Sequence, residues 1–336
     1  MIVASAIVKP RSLDNAMNFA PISITLSVLF SLLITNQIYS PMESFAAAPS
    51  NIPIKSWHEL SNPKNLLPIN GAYYYEFSLP NGSTAHLVVA NIKNGKWRLV
   101  PVLLEKTSTT SHTASSSAAS AAVNGGYFNL NDGESASYVI KEGKLVADPH
   151  NNKALTGNPK LQAFLPQIFE RSELRILKSK SKKDGKPNQL QIARHSDALP
   201  KDTVLVDSMQ AGPRLLPQIT LEEEGFLRKQ NDGTYVDAIG GKKAAARTAI
   251  GITNDGHALI LAVAGKGQDP ESTGLTLADM ADLLKRLGCT EALNLDGGSS
   301  TSMFVRTPTV DSGKGATVCA KSPETLVKTV LLLMPQ

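Results

Sequence analysis

From residue 72 onward the chain is a succession of short apolar runs broken by glycine, asparagine and charged residues, a pattern that predicts strands more often than helices. The runs 86–90 and 97–101 flank Lys93-Asn94-Gly95-Lys96, and Asn-Gly between two β-rich runs predicts a hairpin. The runs 138–140 and 145–147 flank Lys141-Glu142-Gly143-Lys144 in the same way. A third pair, 246–253 and 258–263, is joined by Asn254-Asp255-Gly256-His257 and is largely apolar, which predicts strands central to their sheet. Further strands are predicted over 72–77, 161–169, 174–177, 203–207, 291–296 and 326–334. Helical spacing stands out over 275–288, where Leu277, Met280, Leu284 and Leu287 share a face. There Thr276 and Asp279 form a capping box and Gly288 a stop. Residues 107–122, almost entirely Ser, Thr and Ala, predict a closely packed helix that runs into a strand and a glycine turn. The fold class this predicts is α+β: a single mixed domain with largely antiparallel β-sheets and a few packed helices.

Composition changes the picture mainly at the N-terminus. With 336 residues, 42% of them apolar and 19% charged, the chain has enough apolar surface for a sizeable core. Lys9 and Arg11 precede an apolar stretch over 20–34, followed by Phe45-Ala46-Ala47-Ala48-Pro49. Positive, apolar, then small is the order of a secretory signal peptide, and the apolar run is shorter than the ~20 residues that span a bilayer. Residues 1–48 are therefore expected to be a signal peptide or an N-terminal anchor, and the product exported, periplasmic or secreted. Any membrane contact would come only through that segment if uncleaved. Residues 49–71, polar and dotted with proline, are expected to be a linker or wrapping arm, and 72–336 the folded domain.

The net charge of +5 is partly due to the tract 178–186, which carries no interleaved aromatics for base stacking; a solvated loop is expected rather than a nucleic-acid site. Cys289 and Cys319 could form one disulfide in an oxidising compartment. No Cys-x-x-Cys and no histidine pair has the spacing of a zinc site.

Candidate chemistry gathers where apolar runs stop at glycines. The run 291–296 delivers Asn294 and Asp296 to one strand face, then breaks at Gly297-Gly298-Ser299-Ser300-Thr301. Glycines allow a sharp turn and a close approach of ligand to backbone. Asn124 ends an earlier strand before Gly125-Gly126 in the same manner, either as a turn amide or as a site residue. Arg214 follows Gly212-Pro213 and faces either the site or solvent. Arg247 enters an apolar strand, where a guanidinium must be paired or face a cavity; it is either a phosphate or carboxylate clamp or half of an ion pair, Asp296 being one partner.

In order and spacing, Asn124-Gly125-Gly126-Tyr127-Phe128, Gly212-Pro213-Arg214-Leu215, Arg247-Thr248-Ala249-Ile250-Gly251 and Asn294-Leu295-Asp296-Gly297-Gly298-Ser299-Ser300-Thr301 resemble the phosphodiester glycosidase (uncovering-enzyme-like) family, in its compact bacterial and especially cyanobacterial form. The resemblance spans roughly 72–335; where the family often has a third glycine after the Asp, this chain has Ser299. It implies hydrolysis of a sugar-1-phosphodiester to sugar and phosphate monoester. Asp296 would be nucleophile or general base, Arg247 the phosphate clamp and Asn124 a further catalytic residue. Gly125, Gly126, Arg214, Thr248, Asn294, Gly297, Gly298, Ser299, Ser300 and Thr301 would bind substrate. The expected partner is a sugar-phosphate or glycan substrate. No cofactor is implied, although Asp296 with nearby hydroxyls suits a hard divalent cation such as calcium. A non-catalytic envelope glycan-binding protein is the alternative. A serine acyl hydrolase lacks its Gly-x-Ser-x-Gly elbow, and a P-loop enzyme its Walker motif.

Overall fold

The computed structural model describes residues 53–181, 188–309 and 311–336. The expected leader over 1–48 lies outside the described residues, as does the 182–186 part of the basic tract. Within the described part of the arm before residue 72, Lys64–Asn65 pairs with Tyr74 and Tyr73, and the Trp57 and Leu66 side chains are buried.

One sheet of seven strands organises the fold. Its order is Lys64–Asn65, Ala72–Ser78, Thr84–Asn91, His257–Val263, Arg247–Thr253, Cys289–Asn294, Arg214–Leu216, and every neighbouring pair is antiparallel. Both of its faces are covered, which is why its middle strands read as nearly unbroken apolar runs. Along Thr84–Asn91, Leu87 and Val89 point to one core while Val88 and Ala90 point to the other. On the first face lies the helix Leu277–Arg286, whose Leu277, Met280, Leu283 and Leu284 pack against Ala249, Leu259 and Ala292. Thr276 caps it through Asp279 N–H, as the capping box predicts. Gly251 makes this contact possible, since a Cβ there would collide with the Cys289 sulfur and crowd Leu284.

Two five-stranded sheets share the other core. In one, Ala316–Ala320, Ser302–Val305, Ala121–Asn124, Val327–Pro335 and Trp97–Ser108 lie in that order; in the other, Lys144–Ala147, Val139–Lys141, Thr203–Gln210, Ser172–Ser179 and Gln189–Arg194. Val123, Leu331 and Met303 from the first, with Leu174, Ile176 and Met209 from the second, meet Ile250, Ile260 and Leu293 of the central sheet. The small-residue helix, shorter than expected at Thr110–Ser116, covers the outer face of the first through Ala114, against Ala122, Phe304 and Leu332. The architecture is a mixed α+β domain of mostly antiparallel sheets, as the apolar pattern predicts.

Three expectations are corrected. The Asn94-Gly95 turn forms, with Gly95 at φ +71 and its N–H 3.0 Å from Ile92 O, but its flanking strands do not pair. Thr84–Asn91 joins the central sheet, whereas Trp97–Ser108 pairs with the C-terminal strand, so the turn carries the chain from one sheet to the next. Residues 161–169 are not a strand but a 3-10 turn, Gln162–Phe164, followed by the short helix Leu165–Phe169; Pro166 cannot donate to a ladder but suits a helix start. Cys289 and Cys319 are both free. They sit in different cores on opposite faces of the central sheet, Cys289 under the helix and Cys319 between the sheets, and burial pushes each thiol up to about 12.

Thiol titration without reductant is therefore expected to find two reactive groups in the unfolded protein and almost none in the native one. Native thermal stability should be the same with and without dithiothreitol; one thiol or fewer after denaturation would restore the disulfide.

Candidate active site

The four sequence motifs converge where the central sheet and the sheet of Ala121–Asn124 part. Beyond Asn294 the chain is pinned at almost every residue. Leu295 N donates to Thr248 O at 2.9 Å, Asp296 N to Gly125 O at 2.9 Å and Gly298 N to Ala246 O at 2.8 Å. Asp296 is thus held by backbone from both sheets.

Asn124 supplies the side-chain part of that clasp. Its Nδ2 donates to Asp296 O at 2.6 Å, and its Oδ1 accepts from Thr248 Oγ1 at 2.7 Å and Ser302 N at 3.1 Å. With no exposed surface, it has no face to offer a substrate, so its expected catalytic part becomes one of positioning. Gly125 and Gly126 are likewise structural. A Cβ on Gly125 would stand 2.6 Å from the Met209 sulfur and Thr329 Oγ1, and one on Gly126 would meet Gln210 O. The space beside them is filled by protein, not left for a ligand.

Arg247 is neither anion clamp nor partner of Asp296. Its Nε donates to Leu275 O at 3.0 Å, Nη1 to Ile239 O at 3.2 Å, and Nη2 to Gly240 O at 2.6 Å and Lys243 O at 2.8 Å. The guanidinium is 3% exposed and fastens the 239–243 loop to the turn before the helix. Carbonyls take four of the five N–H donors of this buried guanidinium, and the charge of Asp237 further favours it. Thr248, Asn294, Ser300 and Thr301 are also buried. Asn294 Nδ2 lies 2.9 Å from the Tyr127 hydroxyl and 3.1 Å from Gly212 O, while Asn294 Oδ1 and Thr301 Oγ1 have no partner. Of the expected site residues, Arg214, Asp296, Gly297, Gly298 and Ser299 keep accessible surface. The Arg214 Nε is buried without a hydrogen-bond partner.

Asp296 is the chemically distinctive group. Burial raises its carboxyl to about 6, against the opposing pull of hydrogen bonds from the Ser300 side chain and the Gly297 N–H, the latter 2.8 Å from Oδ1. Tyr127, largely buried nearby, is pushed well above the ordinary phenol range by burial and by the Asp296 charge. Its hydroxyl donates to Gly212 O at 2.8 Å. Sequence reasoning quoted Tyr127 within a motif without giving it a role. Among the described residues no three His, Cys, Asp or Glu side chains gather as a cation site. No histidine is hydrogen-bonded to Ser299 or Ser300 among them either, which leaves the acyl-hydrolase reading without its base.

A cleft of about 640 Å³ opens at Gly298 and Ser299. The loop 265–268 and Lys321 line it too, and sequence reasoning missed both. The available signal for the loop was Gly265-Lys266-Gly267 directly after an apolar strand; nothing local marks Lys321. Gly298 adopts φ +61 with open space where a Cβ would stand, whereas Gly297 is confined by Ala246 O.

Two substitutions test these assignments. Asn124→Ala would strand the Thr248 hydroxyl and Ser302 N–H, and should cost about 2–4 kcal/mol in urea denaturation; a cost under about 1 kcal/mol would refute the clasp. Arg247→Met should lower the melting temperature by several degrees; an unchanged melting temperature with a raised KM would restore the anion clamp.

Comparison with known proteins bears on what this arrangement belongs to. No curated protein matches the sequence. Two solved structures share the fold: the zebrafish N-acetylglucosamine-1-phosphodiester alpha-N-acetylglucosaminidase catalytic domain auto-inhibited by its pro-peptide, and a hypothetical protein from Synechocystis. The first has a TM-score of 0.54 and 19% identity, over 84% of this chain and 87% of that one. The second has a TM-score of 0.52 and 17% identity, over 83% of this chain but only 64% of that one. At such identities the likeness is one of fold alone. Residues 117–334, more than half of the chain and all four motifs, match the phosphodiester glycosidase family, to which this chain therefore belongs.

Proposed function

We propose that the protein is an exported hydrolase that splits the bond between the anomeric carbon and the phosphodiester oxygen of a sugar-1-phosphodiester. The observation that carries this is Asp296: one carboxylate held at a strand end by two sheets, raised to about 6 by burial, in a chain of the phosphodiester glycosidase family. Export rests on the positive, apolar, small pattern of residues 9–49. The zebrafish enzyme of similar fold is an N-acetylglucosamine-1-phosphodiester alpha-N-acetylglucosaminidase, which supports the sugar-1-phosphodiester linkage but not a particular sugar.

A glycosidase ordinarily needs two carboxyl groups, one to protonate the leaving oxygen. A departing phosphate monoester has a conjugate acid of pKa about 6 and leaves without that help. One base is then enough. The water oxygen bonds to the anomeric carbon, its proton passes to Asp296, and the electron pair of the carbon–oxygen bond leaves on the phosphate. A carboxyl titrating near 6 is ionised at neutral pH and still basic enough to take that proton. This favours general base over nucleophile.

Sugar release from a panel of sugar-1-phosphodiesters tests the reading. Wild type is expected to turn over at least one, and Asp296→Asn to fall by about 10³-fold or more, in the range of a lost general base. Activity should rise with pH through about 6 and level above it, because the ionised form is the active one. Retained binding with no turnover by wild type would favour the glycan-binding alternative.

The same carboxyl gives a stability test. A carboxylate raised above its unfolded value is penalised in the fold once ionised, so stability falls as pH climbs from the unfolded value toward 6. Asp296→Asn should remove up to roughly 3 kcal/mol of that penalty at pH 7 and none at pH 3, by paired denaturation curves. Equal stability of the two proteins at both pH values would argue against the raised carboxyl.

A further inference from the structure

With Arg247 committed to backbone carbonyls, the expected clamp for the diester's negative charge is vacant, and the cleft beside the Asp296 loop offers another. Three of the chain segments that line it leave the ends of strands in two sheets. Lys266 follows His257–Val263, Gly298 and Ser299 follow Cys289–Asn294, and Lys321 follows Ala316–Ala320. Its lining holds two cations and no carboxylate. Neither lysine has an ion-pair or hydrogen-bond partner among the described residues. Asp269, the acid closest in sequence, turns both oxygens elsewhere, to Thr84, Ser272 and the Glu271 N–H.

The remaining walls also suit a small hydrophilic anion better than an apolar body. Alanines 244–246 and glycines 265 and 267 present backbone and methyl groups, and no aromatic side chain lines the cleft. Gln268 braces the rim instead of binding in it, donating through Nε2 to Gly298 O at 2.8 Å and Thr301 O at 3.4 Å. Gly265 is required for this shape, because a Cβ there would stand 2.7 Å from Ala246 N. The 640 Å³ is ample for a phosphate with its substituent. Two like charges sharing a rim with no counter-charge gain most from an anion that neutralises both.

We propose that Lys266 and Lys321 form the anion subsite of this protein and hold the phosphate of the diester in the cleft that begins at Gly298 and Ser299. The inference rests on the hydrolase reading for its substrate, but its anion chemistry is testable alone. The lysines act as point charges rather than as a fork, so either a diester or a monoester phosphate suits them. Ser299, exposed at the rim, is available to donate its hydroxyl to a phosphate oxygen.

The test is calorimetric titration of wild type, Lys266→Met, Lys321→Met and the double variant with inorganic phosphate, their folds checked by thermal melting. Each single change should weaken phosphate several-fold and the double change at least tenfold. Lys266→Arg should restore most of the loss, and wild-type affinity should fall steeply between 50 and 500 mM salt. On a diester that wild type hydrolyses, the double variant should raise KM far more than it lowers kcat. Equal phosphate affinity in wild type and double variant overturns the inference, whatever the turnover. Phosphate binding that the double variant abolishes, in a protein that hydrolyses no diester, upholds the subsite and overturns the hydrolase reading instead.

Discussion

The Asn124 side chain sits at the point where two sheets separate, and its three hydrogen bonds decide where Asp296 can be. One amide holds the Asp296 carbonyl from below, while its oxygen gathers a hydroxyl from the central sheet and an N–H from the neighbouring one. In a site without solvent each of these bonds is stronger than it would be in water, and each unmade one costs more. The Asp296 loop is therefore fixed by both sheets together. A carboxylate on a mobile loop would find water and keep an ordinary pKa; held here, it loses hydration and becomes a better base.

That constraint accounts for the composition of the surrounding motifs. Gly125 and Gly126 lie against Met209, Thr329 and Gln210, and Gly297 against Ala246 O, so these glycines serve the close approach of protein to protein. Thr248 and Ser302 complete Asn124, and Arg247 secures the 239–243 loop through its backbone carbonyls. The motifs mark a scaffold whose accessible product is small: Asp296 and Gly297, followed by Gly298 and Ser299 at the edge of a cleft. Scaffold and chemistry are separate parts of one site.

The charges follow the same division. Of the buried cations, Arg247 and Arg171 are spent on carbonyls and on the Phe226 ring, 3.8 Å from the Arg171 guanidinium, and Arg175 pairs with Glu173. Lys266 and Lys321, without an ion-pair partner among the described residues, lie exposed at the cleft. Asp296 thus gains its raised pKa from burial with no neighbouring cation to cancel it. A base of pKa near 6 and an anion subsite place opposite demands on local potential, and separating them along one loop meets both.

By itself the sequence determined where most regular segments lie, which faces are apolar and which carboxylate is the candidate for the chemistry. The apolar runs 86–90 and 258–263, the capped helix over 275–288 and the Asp296 strand end are local properties, and the folded chain keeps them because local geometry fixes side-chain direction. Pairing is not local. The Asn94-Gly95 turn is written in four residues, but the partner of the strand after it lies more than 200 residues onward, so tertiary structure sent it to another sheet. Spacing could not show that Cys289 and Cys319 face different cores, since that depends on which side of the central sheet each strand packs. Arg247 had to be satisfied, as its apolar strand required, yet its four partners are carbonyls brought in from residues 239–243 and 275. Lys266 and Lys321 met across two sheets with no motif to announce them. A side chain's need can be read from its own neighbours in sequence; who meets that need is decided only when distant segments fold together.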